Sequence, residues 1–298
     1  MTKISEIYHT KPAPVLSFEI FPPKKEGDIE SLYQTLNDVD PLALGVDYIS
    51  VTYGAGGSGN NIKTRDLAQY IQEHFGVTAL HHLTGINQTP EVLQDQLADI
   101  KQAGIENILA LRGDLPDADY VNTYYPYAKD LIHDIKQFNQ FNIGAAIYPE
   151  GHVDNPVTGI SVAGVKEKVV SGTDFLISQF FFENDVYYNM QDALKSNYIK
   201  VPVSAGVMPI INKAQVERMT YMIGSSLPSR LVKIIHKYEN QPDSLKQAGI
   251  EYALEQIHDL LNHGVDGIHL YAMNRPSVLK SMLPVINQDI QSKSLDFP

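Results

Sequence analysis

Short apolar runs rich in β-branched and aromatic residues recur along the chain at 15–21, 48–53, 77–84, 107–113, 142–149, 175–182, 201–209 and 267–273. Between them the spacing turns helical, as in 91–103, where Val92, Leu93, Leu97 and Ile100 are apolar, and in 186–198. Strand and helix therefore alternate throughout, which predicts parallel strands joined by helical crossovers. Eight such units, spaced by roughly thirty residues, are the number that closes a (β/α)8 TIM barrel. The gap from Val201 to Gly267 is about double the others, and Pro228 and Pro242 punctuate it. It reads as extra helices after strand seven rather than a second domain. With no linker or low-complexity tract, 1–298 is expected to be a single catalytic barrel domain, its first 14 residues an irregular lead-in.

Side chains on a strand alternate faces, and a small barrel's interior is otherwise packed with apolar groups, so polar residues on these runs are informative. Ser17 and Glu19 share one face of strand one, Ser50 and Thr52 one face of strand two, and Ala110, Arg112 and Asp114 one face of strand four. Leu16, Phe18, Ile20, Ile49, Val51, Leu109 and Leu111 are assigned to the opposite, helix-packing faces. The polar set then points inward at the carboxyl ends of the strands, together with His82, Tyr148, Glu150 and Gln179. That end is where this fold builds active sites. Each residue alone has a structural reading: a solvated acid, an ion pair, a core aromatic, a buried amide. Of the adjacent His81 and His82, only one can face the interior. Their convergence at one end is what marks a site.

Composition narrows the chemistry. The chain has 298 residues, 43% hydrophobic and 19% charged, with no cysteine, so disulfides and thiolate metal sites are excluded. Redox work would need a cofactor. A formal net charge of -12 argues against a nucleic-acid or anionic-membrane partner. With no leader-like or membrane-length apolar run, a cytoplasmic protein is the simplest expectation. Gly54-Ala55-Gly56-Gly57-Ser58-Gly59 matches a dinucleotide fingerprint, but the following strand ends His81-His82-Leu83-Thr84 without the acidic residue that motif needs. It reads instead as a loop over the barrel mouth. A metal site from His82, Asp114, Glu150 and His152 is chemically conceivable, yet nothing in the spacing fixes its geometry, and no metal is expected.

Several motifs carry a resemblance. Ser17-Phe18-Glu19-Ile20-Phe21-Pro22-Pro23, Ser50-Val51-Thr52-Tyr53-Gly54-Ala55, His82-Leu83-Thr84, Leu111-Arg112-Gly113-Asp114-Leu115-Pro116, Tyr148-Pro149-Glu150 with His152, and Gln179-Phe180-Phe181-Phe182 occur in the order and spacing of methylenetetrahydrofolate reductases. Tyr271 to Arg275 extend the similarity through strand eight. The resemblance implies an enzyme that binds FAD at the barrel mouth. Such an enzyme takes a hydride from NADH or NADPH and passes it, ping-pong, to 5,10-methylenetetrahydrofolate, giving 5-methyltetrahydrofolate for one-carbon metabolism and methionine supply. It assigns Glu19 as the acid that protonates the departing nitrogen as the five-membered ring opens. Burial would hold that carboxyl protonated, and a nearby Asp114 is expected to raise its pKa further. Asp114, by resemblance, stays ionised to stabilise the cationic iminium. The resemblance places Tyr53, Ala55, His82, Arg112, Gly113, Asp114, Ala128, Tyr148, His152 and Lys168 at FAD, Thr52 at the nicotinamide donor, Gln179 at the pterin edge and Arg275 at the folate's glutamate tail. A homo-oligomer is also carried over from the family.

Three positions depart from the family pattern. Lys213 stands where a phenylalanine that packs on donor or folate is common, Ser161 where an aspartate is common, and Glu167 where an arginine is common. They imply altered donor handling and rearranged FAD contacts. They also keep open a flavin- or folate-binding barrel subunit without independent turnover, while a metal-dependent barrel lyase or hydrolase is a second alternative.

Overall fold

The computed structural model describes residues 2–23, 29–53, 61–115, 121–153 and 159–294. All eight expected strands form: β1 (Val15–Ile20), β2 (Tyr48–Val51), β3 (Thr78–Thr84), β4 (Asn107–Leu111), β5 (Asn142–Ile147), β6 (Phe175–Ser178), β7 (Val203–Val207) and β8 (Gly267–Leu270). They pair in parallel and in chain order, with β8 closing on β1. The chain is a (β/α)8 barrel.

The crossover helices follow from local sequence. Helix α4 (Pro90–Gln102) starts where Thr89 accepts a hydrogen bond from the Val92 backbone and Pro90 pre-sets the first turn. Leu93, Leu97 and Ile100 form its buried stripe, whereas Val92 is exposed. The outer core joins such stripes to Leu16, Phe18, Ile20, Ile49 and Val51 on the outward faces of the strands. The long seventh crossover contains α8 (Lys213–Ile223), α9 (Ser229–Tyr238) and α10 (Pro242–Asn262), with Pro228 at the cap of α9 and Pro242 in the first turn of α10. A second apolar cluster, including Phe180, Phe182, Met208, Ile210, Val216 and Leu231, fixes these helices to the carboxyl ends of β6 and β7.

Two expectations need correction. The lead-in is not irregular: Ile4–Thr10 form α1, which closes the amino-terminal end of the barrel. Ile4 is fully buried and donates its backbone N–H to Oδ1 of Asn107, and Ser5 donates its N–H to Oδ1 of Asn142. Tyr8 shares a 2.7 Å hydrogen bond with Ser204. Burying Ile4 alone is worth about 1.5–3 kcal/mol, and the two asparagines satisfy N–H groups that a helix start leaves open. The phase of β4 is also reversed. Leu109 and Leu111 pack inside the barrel with Ile4, Val15, Tyr48, Leu80, Phe175 and Ile177, while Ile108 and Ala110 belong to the outer core. Both faces of β4 are apolar, so its alternation carried no phase, and the asparagine that anchors α1 sets Asn107, Leu109 and Leu111 inward.

Candidate active site at the carboxyl end of the barrel

Above the apolar cluster the interior turns polar. Glu19 of β1 and Ser50 of β2 are register partners, and His82 of β3 follows inward-facing Leu80 by two residues. His82 is therefore the inward histidine of the pair. Its Nε2 lies 2.5 Å from Oγ of Ser50 and 3.8 Å from Oε2 of Glu19. The Glu19 side chain retains 20% exposure, so it opens toward the mouth while most of it is withdrawn from water.

Burial pushes the Glu19 carboxyl up to about 8 and pushes His82 down to about 3, the latter helped by His269 and His81. At neutral pH both are uncharged, so the close approach is not an ion pair. The expected contribution from Asp114 is absent: Asp114 stands exposed at the rim, and desolvation accounts for the rise at Glu19. An acid kept neutral inside a barrel mouth can donate a proton there.

Strand eight and the residue after it supply two side chains to which the sequence assigned no role. His269, buried, shares a 2.8 Å hydrogen bond with Ser17, placing Ser17 one layer below the mouth rather than at it. Tyr271 donates to the Ser178 carbonyl at 3.0 Å and interacts electrostatically with Glu19. A side chain on Gly206 would meet the Tyr271 ring at 2.8 Å, so the glycine makes room for it. The alternation of His269 and Tyr271 with Ile268 and Leu270 was the available signal.

On the side of β3 to β6, the structure brings a second group of expected residues to the mouth. Arg112 Nε donates to the Gly113 carbonyl at 3.2 Å. Gly113 has φ +90° and packs where a Cβ would lie 2.7 Å from Ile86, so glycine is required. Tyr148 and His152 meet edge to face at 4.6 Å. Lys168, on α6 (Val162–Ser171), passes its Nζ to the Ala146 carbonyl at 2.8 Å, 6.0 Å from the Tyr148 ring centroid. Burial lowers this amine to about 8. A desolvated cation beside the Tyr148 ring fits an anionic, ring-bearing cofactor. Ala128 begins α5 (Ala128–Gln137), next to α6.

The remaining positions are more peripheral. Thr52 and half-buried Tyr53 follow β2, with Thr52 N–H bonded to Ile20, and burial raises the Tyr53 hydroxyl. Gln179 follows β6 and accepts from the Phe180 N–H through Oε1. Glu150 accepts from the Ser226 N–H, tying the loop after β5 to the α8–α9 connection. Lys213 starts α8, is 47% exposed and pairs with Glu239 at 3.2 Å. Arg275 is exposed beyond β8. Ser161 caps α6 by accepting from Gly164, and Glu167 pairs with Lys129 at 2.9 Å on the α5–α6 surface. Ala55 and the surrounding glycine loop lie outside the described residues. Among the described residues, no group of three or more His, Asp or Glu is placed to hold a metal ion, and no helix is long and apolar enough to cross a membrane.

Comparison with known proteins points one way. The methylenetetrahydrofolate reductase family model matches residues 3–287. The chain is 31% identical over 260 residues to the 5,10-methylenetetrahydrofolate reductase of Pectobacterium carotovorum subsp. carotovorum, covering 87% of this chain and 86% of that protein. Against the Escherichia coli (strain K12) enzyme of the same name, identity is 32% over 261 residues, with the same coverage of 87% and 86%. Among solved structures, an uncharacterized protein from Clostridium thermocellum that binds two copies of 5-methyl-5,6,7,8-tetrahydrofolic acid aligns with a TM-score of 0.63 at 15% identity, covering 98% of this chain and 100% of that one. At that identity the likeness concerns the fold. The family match over nearly the whole barrel, with relatives more than 30% identical along most of its length, makes this chain a member of the methylenetetrahydrofolate reductase family.

Proposed function

We propose that this protein reduces 5,10-methylenetetrahydrofolate to 5-methyltetrahydrofolate with electrons from NADH or NADPH, using FAD in a ping-pong sequence. The observation that carries the reading is Glu19, a carboxyl held neutral by burial at the carboxyl end of the barrel. The methylene bridge accepts hydride only after its ring opens to an iminium ion, and opening requires a proton on the departing nitrogen. Glu19 supplies that proton. Its neutrality means that the acid is ready at physiological pH without a charge to neutralise first.

Arg112, Gly113, Tyr148, His152 and Lys168, with Tyr53, Ala55, His82, Asp114 and Ala128, would hold FAD. When bound, that group supplies two-electron transfer between the nicotinamide and the folate. Lys168 would offer a desolvated cation to the diphosphate. Thr52 would meet the donor, Gln179 the pterin edge and Arg275 the glutamate tail. Asp114, at the exposed rim, would face the cationic iminium from the solvent side.

Anaerobic mixing of the purified yellow protein with NADH or NADPH, followed by methylenetetrahydrofolate, tests this. Bleaching by the nicotinamide and recovery of colour on adding folate are expected. No flavin bound and no bleaching after added FAD would overturn the reading. Glu19→Gln should bleach normally but recover its colour about 10²–10⁴-fold more slowly. Equal loss in both halves would make Glu19 structural.

A further inference from the structure

One nitrogen at the barrel mouth has two neighbours and capacity for one. Nε2 of His82 bonds to Oγ of Ser50 at 2.5 Å, while Oε2 of Glu19 waits 3.8 Å away, outside hydrogen-bond reach. In either tautomer a neutral imidazole nitrogen makes one hydrogen bond, donating if protonated and accepting if bare. Ser50 fills that capacity in both cases. We propose that Ser50 is a positioning residue for Glu19: by occupying Nε2 of His82, it keeps the imidazole from hydrogen-bonding the carboxyl, so the acid retains the proton that the folate step consumes. The inference rests on the reading of Glu19 as that acid.

The surroundings support it. A donor aimed at a carboxylate favours the ionised form, and burial without one favours the neutral form. Among the described residues, the buried groups of β3 and β8 beside Glu19 are engaged elsewhere: His82 Nε2 by Ser50, His269 Nδ1 by Ser17, and the Tyr271 hydroxyl by the Ser178 carbonyl. At the rim, Arg112 Nε is directed to the Gly113 carbonyl, and Asp114 is exposed. Register makes the arrangement specific, since Glu19 and Ser50 are Cα partners across β1 and β2 and His82 stands on the next strand.

The test reads Glu19 directly. The carboxylic C=O stretch of the full chain as isolated is followed by infrared difference titration and assigned by its loss in Glu19→Gln. In the parent the neutral-acid band should persist to about pH 8. In Ser50→Ala, the released Nε2–H turns to the carboxylate and the midpoint should fall by about 1–2 pH units, the size of a hydrogen bond to a charged group. Ser50→Thr should titrate as the parent. Combining Ser50→Ala with His82→Phe should abolish the fall, because the imidazole is its agent. Ser50→Cys, a weak hydrogen-bond partner, should give an intermediate midpoint and replaces the alanine variant should that fail to fold. An unchanged or raised midpoint in Ser50→Ala or Ser50→Cys overturns the proposal, as does a fall that survives in the double variant, which would signal water entry. The readout needs no turnover. A shifted Ser50→Ala midpoint in a protein that fails the folate reaction would leave this coupling standing and remove the functional reading.

Discussion

Oε2 of Glu19 lies 3.8 Å from Nε2 of His82, and at neutral pH neither group carries a charge. The acid is raised by burial and the base lowered by it, so a contact that looks like an ion pair is a pair of desolvated neutral groups. Their linkage to stability runs in opposite directions.

Glu19 makes the protein less stable as pH rises. Its folded pKa of about 8 exceeds the ordinary 4.5, so between those values the folded state holds a proton that the unfolded state has lost. Stability contributed by that proton is complete below 4.5 and gone above 8. Glu19→Gln removes the titration, and the variant should exceed the parent at pH 8 by on the order of a few kcal/mol. Urea unfolding of both proteins at pH 5 and pH 8 measures this; parallel pH dependences would mean that Glu19 titrates as an ordinary acid.

His269 should give the opposite slope. Burial depresses it to about 3 from 6.5, so the unfolded state takes up a proton that the folded state refuses, and stability is lost as pH falls below about 6.5. His269→Gln keeps a hydrogen-bonding partner for Ser17 and removes the titration. The difference in Tm between parent and variant should move in the variant's favour from pH 7 to pH 4, and a constant difference would contradict the assignment.

Lys168 should matter for flavin retention. Lys168→Met preserves much of the side-chain length but removes the cation beside Tyr148, and the affinity for FAD should fall by about 10–100-fold while the unfolding midpoint changes little. Because the amine deprotonates near 8, the parent's affinity should itself decline above that pH. Fluorescence titration with FAD at pH 7 and pH 9 reads both effects; equal affinity in parent and variant would exclude Lys168 from the site.

At the start of α8, the half-exposed Lys213 pairs with Glu239. Lys213→Phe should lower the donor concentration needed for half-maximal flavin reduction, by supplying a ring that stacks, and should leave FAD content unchanged. Stopped-flow bleaching with each nicotinamide decides; identical donor affinity and rate would show that the departure has no bearing on donor handling.

The extra helices after β7 were legible because Pro228 and Pro242 can only sit near helix starts in that stretch. Glu19 was legible because β1 alternates cleanly between Val15, Ser17 and Glu19 inside and Leu16, Phe18 and Ile20 outside. On β4, Asn107-Ile108-Leu109-Ala110-Leu111 offers apolar side chains to both faces, so alternation alone does not say which set faces inward. The first helix escaped notice because its cohesion is long-range: Asn107 and Asn142, more than a hundred residues away in sequence, complete its amino end. The inward position of Glu19 follows from the alternation of β1, whereas its neutrality, expected in part from Asp114, comes from burial, because the loop after β4 leaves Asp114 exposed.

Strand number, crossover lengths and the identity of the inward acid were determined by the sequence alone, because periodicity two and proline placement are local properties of the chain. Which nitrogen of which histidine meets Glu19, and that Ser50 already holds it, was decided only by closure of the barrel. Closure sets the register of β1 on β2 and of β2 on β3, and it withdraws water from all three side chains at once. Desolvation is a property of the assembled interior, and no residue carries it alone.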